Sequence, residues 1–224
     1  MKVTHVYHSG FVVELTKSVL IFDWYLGSLP RWDSSKKIYV FVSHGHGDHY
    51  STRIWDLEKS YPNVFYVLDS CCEQNRKGRN ILHVQPGRIY ELSCIRISTL
   101  LSNDEGVAFD IKTEGIEIFH AGDLNVWHWK DKTAKENAYY EKAYCREIEK
   151  LRGRSIDVAM IPLDPRLEEN CPKAIEHFMQ IVGCRYLFPM HYWDWDDKIQ
   201  PFLKDPRIEP YKEKLFLDQF ETHD

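Results

Sequence analysis

Over most of the chain apolar residues either alternate with polar ones or run unbroken for a few positions, and helical spacing is confined to a few segments. Residues 2–8, 11–16 and 18–23 are β-branched and aromatic runs separated only by Ser9-Gly10 and Lys17, which predicts an antiparallel meander. Residues 37–43 (KIYVFVS) are almost continuously apolar, the pattern of a strand buried on both faces. A helix is expected over about 51–60, with Ser51 or Thr52 as its cap and Ile54 and Leu57 on its apolar side. Strand patterns follow at 64–68, 81–84, 88–92, 95–101, 107–112 and 116–120, the last two joined by the turn Thr113-Glu114-Gly115.

The pattern then changes. Residues 134–152 are charged with apolar and aromatic positions at helical spacing, so a surface helix is expected. A buried strand at 156–163, a helix at 171–182 with Pro172 in its first turn, a strand at 185–190, a helix at about 196–203 and a last strand at 214–218 complete the chain. Strands first, then helices and strands in alternation, predict an α+β chain: two sheets face to face with helices outside, not a doubly wound sheet. No repeat, low-complexity stretch or linker divides it, so residues 1–224 are expected to form one domain.

Composition narrows the function classes. A hydrophobic content of 43% in 224 residues supplies a sizeable core. The net charge of −5, from well-mixed basic and acidic residues, leaves no broad positive field, so a nucleic-acid partner is not expected. The N-terminus lacks the features of a signal peptide and no apolar run could span a bilayer, which predicts a cytoplasmic protein without a membrane partner. Six cysteines without a CxxC pair are expected to be reduced thiols in or near the core. The one compact basic run, residues 74–80, is expected to be a solvated loop, with phosphate binding as the alternative.

The chemistry concentrates directly after the buried strand, in His44-Gly45-His46-Gly47-Asp48-His49. Three imidazoles and a carboxylate within six positions suit zinc, iron and other borderline first-row metals. A polar turn with hydrogen-bonding duties alone would not need four ligand-type residues at this density. Gly45 and Gly47 are expected to let the backbone bend sharply, so that His44 and His46 share one ion while Asp48 and His49 reach a second. Because a bound metal lowers the pKa of its water towards neutrality, hydrolysis is the expected reaction.

The segment resembles the HxHxDH signature of the metallo-β-lactamase fold superfamily. Ile118-Phe119-His120-Ala121-Gly122-Asp123 resembles the strand end carrying that family's bridging aspartate, and Leu187-Phe188-Pro189-Met190-His191 the strand ending in its last metal histidine. His8-Ser9-Gly10 and Asp23 are similar to its opening meander, particularly in the branch that includes ascorbate-phosphate lactonase. The resemblance spans nearly the whole chain. It implies a four-layer αββα sandwich of two mixed sheets, with His44 and His46 on one metal, Asp48, His49 and His191 on the other, and Asp123 bridging both. It also implies a third histidine on the first metal, yet the matching stretch, residues 99–106, contains none. Asp104 is the first choice as its substitute; Glu105, His8 reaching over from the first turn, or a single-ion site are the alternatives. Zinc is the expected metal, as one or two ions, with manganese or iron as options.

Asp48 is expected to orient the water and carry its proton, and His8, His120 or His128 to protonate a leaving group. His5, His83, His177 and His223 lie away from any motif and are expected to be structural or solvent-facing. Aromatic residues at 24–25, 127, 129, 192–193 and 195 either wall a pocket or close an edge or an oligomer interface, so a homo-oligomer is open. The expected function is metal-dependent hydrolysis of a small-molecule ester, lactone or phosphodiester. A nuclease of the same fold, or a non-catalytic metal-binding relative, are the alternatives.

Overall fold

The computed structural model describes residues 1–222. The opening meander forms as predicted: β1 (Lys2–Tyr7), β2 (Gly10–Glu14) and β3 (Ser18–Phe22) pair antiparallel, with Val3 opposite Val13 and Val13 opposite Leu20. Next come β4 (Lys37–Val42), β5 (Val64–Asp69) and β6 (Ile81–Val84), all parallel to β3. With β13 (Gln219–Glu221) on the far edge, the first sheet has the order β13-β1-β2-β3-β4-β5-β6.

The second sheet starts with the antiparallel run β7 (Ile89–Leu92), β8 (Ile95–Leu101), β9 (Val107–Thr113) and β10 (Ile116–His120). It ends with the parallel strands β11 (Ile156–Pro162) and β12 (Cys184–Met190), giving the order β12-β11-β10-β9-β8-β7. Both sheets are therefore mixed. They pack face to face on a core in which Leu20, Phe22, Tyr39, Phe41 and Val67 meet Ile97, Phe109, Ile111 and Ile118, all fully buried. The alternate positions of the first sheet, Val19, Ile21, Ile38, Val40 and Tyr66, bury a second cluster on its outer side. This two-sided burial explains why residues 37–43 carry no polar alternation.

Helices α1 (Ala134–Glu149) and α2 (Lys173–Ile181) cover the second sheet, and Phe178 stacks on Phe119 at 5.4 Å. The Tyr144 hydroxyl donates to the Ala174 carbonyl (2.7 Å), locking the two helices together. On the first sheet the expected helix at 51–60 is a 3₁₀ helix, Thr52–Lys59, burying Ile54 and Leu57. The Tyr66 hydroxyl donates to the Ile54 carbonyl (3.1 Å), which engages an acceptor that an α-helix would give to a backbone amide. Helix α3 (Asp196–Leu203) forms where expected.

Two expectations need correction. No strand occupies 214–218: a 3₁₀ helix, Glu209–Lys214, is followed by a single Leu215–Leu187 bridge, and only Gln219–Glu221 pair with β1. This apolar run crosses from the edge of one sheet to the edge of the other, with Phe216 N donating to Leu187 O and His5 N to Asp218 O. Its hydrophobicity reports burial between sheet edges, not a ladder. Cys71 and Cys94 are exposed, whereas Cys72, Cys171 and Cys184 are buried; all six thiols are free. Residues 74–80 form an exposed loop, and Arg76 lies 3.7 Å over the ring of Trp55. Among the described residues no helix is long and apolar enough to cross a membrane; His223 lies outside them.

Candidate metal centre

Strand ends of both sheets deliver the site, and one buried carboxylate organises its first half. Asp23, just after β3, accepts from Ser43 N (2.8 Å), Ser43 Oγ (2.6 Å) and His49 Nδ1 (2.7 Å). His49 therefore carries its proton on Nδ1 and turns the Nε2 lone pair into the site. Ser43 Oγ has given its hydrogen to Asp23, so at 3.0 Å from His44 Nδ1 it accepts the His44 proton, freeing His44 Nε2 in the same way. On the opposite side Asp164, following β11, accepts from His191 Nδ1 (3.1 Å) and frees His191 Nε2.

The glycines that permit this are not those expected. A Cβ at Gly45 or Gly47 would meet nothing within 4 Å. Gly106 and Gly122 have positive φ, and a Cβ at Gly106 would lie 2.0 Å from the Ser43 carbonyl oxygen. The histidine loop is thus seated by glycines after β8 and β10 pressing on Ser43.

Two clusters of potential ligand atoms result, His8, Asp48, His49 and His191 in one and His44, His46 and Asp123 in the other, each within 4.8 Å. The Asp123 carboxylate spans them. Its Oδ1 lies 3.0 Å from His49 Nε2 and 3.2 Å from His191 Nε2, and its Oδ2 lies 3.4 Å from His44 Nε2. His49 Nε2, His191 Nε2 and Asp123 Oδ1 are buried with no hydrogen-bond partner. Buried polar atoms are rarely left unpaired, and this group of imidazole nitrogens with a carboxylate oxygen has the donor chemistry of a first-row metal site. The residues fit such an ion.

His8 differs from the other imidazoles. Trp193 N donates to its Nδ1 (3.2 Å), which puts the ring proton on Nε2, 3.6 Å from Asp48 Oδ2. A protonated Nε2 cannot ligate, so His8 presents a donor to Asp48 rather than a lone pair to an ion.

Electrostatics follow from burial and pairing. Burial opposes charge on His49 and His191, but Asp123, with Asp23 on one and Asp164 on the other, outweighs it and raises both imidazoles, so an ion held at their Nε2 atoms would displace a proton from each. Burial is the leading influence on His8 and His44, whose pKa values fall to about 4. The His8 Nε2–H facing it at 3.6 Å leads in holding Asp48 well below the usual carboxylate range, with His49 adding to it.

Asp104 lies outside both clusters but lines the same cavity, its carboxyl raised by burial and then by Asp123. Glu105 sits 2.9 Å from His46 Nε2, while His46 Nδ1 faces His44 Nε2 at 3.0 Å. His120 is structural: Nε2 donates to Ser9 O, Nδ1 accepts from Gly122 N, and the ring stacks on Phe22. His128 turns away towards Lys173 and Glu141. His5 supports His8, its Nε2 donating to the His8 carbonyl (3.0 Å).

The cavity, about 230 Å3 and open to solvent, is walled by Trp127 and Trp129, whose rings are parallel at 5.8 Å. Trp24 instead packs in the outer cluster of the first sheet. Sequence reasoning missed Asp164 and Arg166, which have no local motif; the only signal was a polar Asp-Pro-Arg directly after a buried strand.

Comparison with known proteins agrees with this architecture. No family model matches the chain. A UPF0173 metal-dependent hydrolase from Korarchaeum cryptofilum is 27% identical, with 86% of this chain and 83% of that protein covered. Among solved structures, the metallo hydrolase Igni18 from Ignicoccus hospitalis superposes with a TM-score of 0.65 at 17% identity, covering 99% of this chain and 98% of that one. The metallo-beta-lactamase fold protein YhfI from Bacillus subtilis gives 0.62 at 13% identity and 99% coverage of both.

Proposed function

We propose that this chain, a metal-dependent hydrolase of the metallo-β-lactamase fold, cleaves an ester, lactone or phosphodiester bond in a small molecule, with zinc as its metal. The observation that carries the reading is the convergence of three buried atoms, His49 Nε2, His191 Nε2 and Asp123 Oδ1, which face one another at 3.0 and 3.2 Å and have no other polar partner. His49, His191, Asp48 and Asp123 would hold one ion, and His44, His46 and the other Asp123 oxygen a second. When bound, such an ion lowers the pKa of water and polarises the bond to be cleaved.

The chain's own groups do the rest. Asp23 and Asp164 fix the tautomers of His49 and His191, so neither ring must reorient. Asp48, at the mouth, stays ionised and would orient an attacking water by accepting its hydrogen bond; His8 Nε2–H faces Asp48 at 3.6 Å and stabilises its anionic form. The parallel rings of Trp127 and Trp129 offer a flat wall, and a cavity of about 230 Å3 suits a small substrate. The test is a panel of an aryl acetate, an aryl lactone and a bis-aryl phosphodiester, assayed on zinc-loaded protein with and without chelator. Turnover of at least one, abolished by chelation and restored by zinc, is expected. Turnover that survives chelation, or none on any of the three, would overturn the proposal.

A further inference from the structure

The cavity beside the ligand clusters carries three carboxylates, Asp48, Asp104 and Asp123, and among the described residues Arg166 is the one arginine or lysine on its wall. Arg166 is held from three sides. Its Nε bonds Asp164 Oδ1 and Oδ2, each at 2.9 Å, its Nη2 bonds Asp164 Oδ2, and its backbone N bonds Asp164 Oδ1 (2.9 Å). The guanidinium lies 4.6 Å from the ring centroid of Trp193 and 5.5 Å from that of Trp129. An arginine fixed between a carboxylate and two indoles has little rotamer freedom left to lose on binding.

The bonds to Asp164 use Nε and Nη2. The Nη1 edge has no hydrogen-bond partner among the described residues, and the side chain remains 41% exposed. A guanidinium edge presents parallel N–H donors that match the oxygens of a carboxylate or phosphate. Asp164 is also the carboxylate that orients His191. One buried side chain therefore fixes both the ligand imidazole and the guanidinium, and with them the spacing between the reacting end of the cavity and its cationic end.

We propose that Arg166 is an oxyanion clamp and that the substrate carries a carboxylate or phosphate group beside its scissile bond. The inference rests on the hydrolase reading for what happens at the other end of the substrate, but the clamp can be measured without turnover. Trp129 and Trp193 flank the guanidinium, so tryptophan fluorescence reports its occupancy.

Zinc-loaded wild type, Arg166→Gln and Arg166→Lys are titrated with phenylacetate, phenylphosphonate and the neutral isostere phenylacetamide, and zinc content is measured for each protein. Wild type should bind at least one of the two anions more tightly than the amide, and the tighter one identifies the group. Arg166→Gln should weaken that anion roughly tenfold to a hundredfold, the worth of one or two charge-assisted hydrogen bonds. Amide binding and zinc content should stay within about twofold, and Arg166→Lys should recover part of the loss because it keeps the charge without the fork. Absence of anion preference in wild type, equal weakening of anion and amide, or unchanged anion binding in Arg166→Gln would each overturn the clamp. A clamp that passes this test in a protein that hydrolyses nothing would remove the hydrolase reading alone.

Discussion

Single residues decide whether the site can exist. Asp23 is fully buried and takes three hydrogen bonds, one of them from His49. Asp23→Asn can no longer accept all three as an anion, and metal affinity should fall about tenfold to a hundredfold with the fold retained. A competition titration against a chromogenic chelator measures this, and unchanged affinity would show that Asp23 serves only Ser43. Gly106→Ala should cost more than about 2 kcal/mol, because its Cβ would meet the Ser43 carbonyl at 2.0 Å on a backbone with positive φ. Gly45→Ala should change urea stability by less than about 1 kcal/mol, since nothing lies near its Cβ. The contiguous loop 44–49 was legible in the sequence because its ligand types are adjacent, and resemblance supplied Asp123 and His191. Asp164 and Arg166 were not legible, since an Asp and an Arg after a strand acquire meaning only when folding brings them against His191 and two tryptophans.

Elements carry their own tests. Helix α1 opens on a complete capping box, with Thr133 Oγ1 accepting from Glu136 N and the Glu136 carboxylate accepting from Thr133 N. Thr133→Ala should destabilise by about 1 kcal/mol in urea unfolding without changing metal content. The outer face of β9 and β10 holds a buried carboxylate, Asp110, pushed up to about 6 by burial first and then by Glu117, against the opposing influence of Arg154 and Lys112. A folded-state pKa above the unfolded value means that protonation favours the fold. The contribution is fully present below about 3.8 and is lost as pH rises through about 6. Wild type should therefore gain stability relative to Asp110→Asn as pH falls from about 7 to about 4, by no more than about 3 kcal/mol. A difference that stays flat over that range would contradict the assignment. Period-2 and continuous apolar patterns located most of the strands. The tail at 214–218 misled because an apolar run crossing between sheet edges has the composition of a strand without its ladder.

Taken together, the two mixed sheets are a device for bringing distant strand ends to one edge. Loop 44–49 leaves β4 of the first sheet, whereas Asp123, Asp164 and His191 follow β10, β11 and β12 of the second. Element order predicted two face-to-face sheets with helices outside, and the resemblance implied the αββα layering; of the outer helices, the one on the first sheet is 3₁₀. What could not follow from order was which imidazoles present lone pairs and which, like His8, present a proton. That is set by partners such as Trp193 N, from the other end of the chain. The central claim is that residues separated by more than a hundred positions share ions through Asp123. Its most direct test is elemental analysis of wild type, His49→Ala and Asp123→Ala purified side by side, with turnover measured on the same samples. The account predicts one or two metal equivalents in wild type, fewer in His49→Ala and fewest in Asp123→Ala, with turnover lost in both variants. Full metal content and undiminished turnover in both would contradict it.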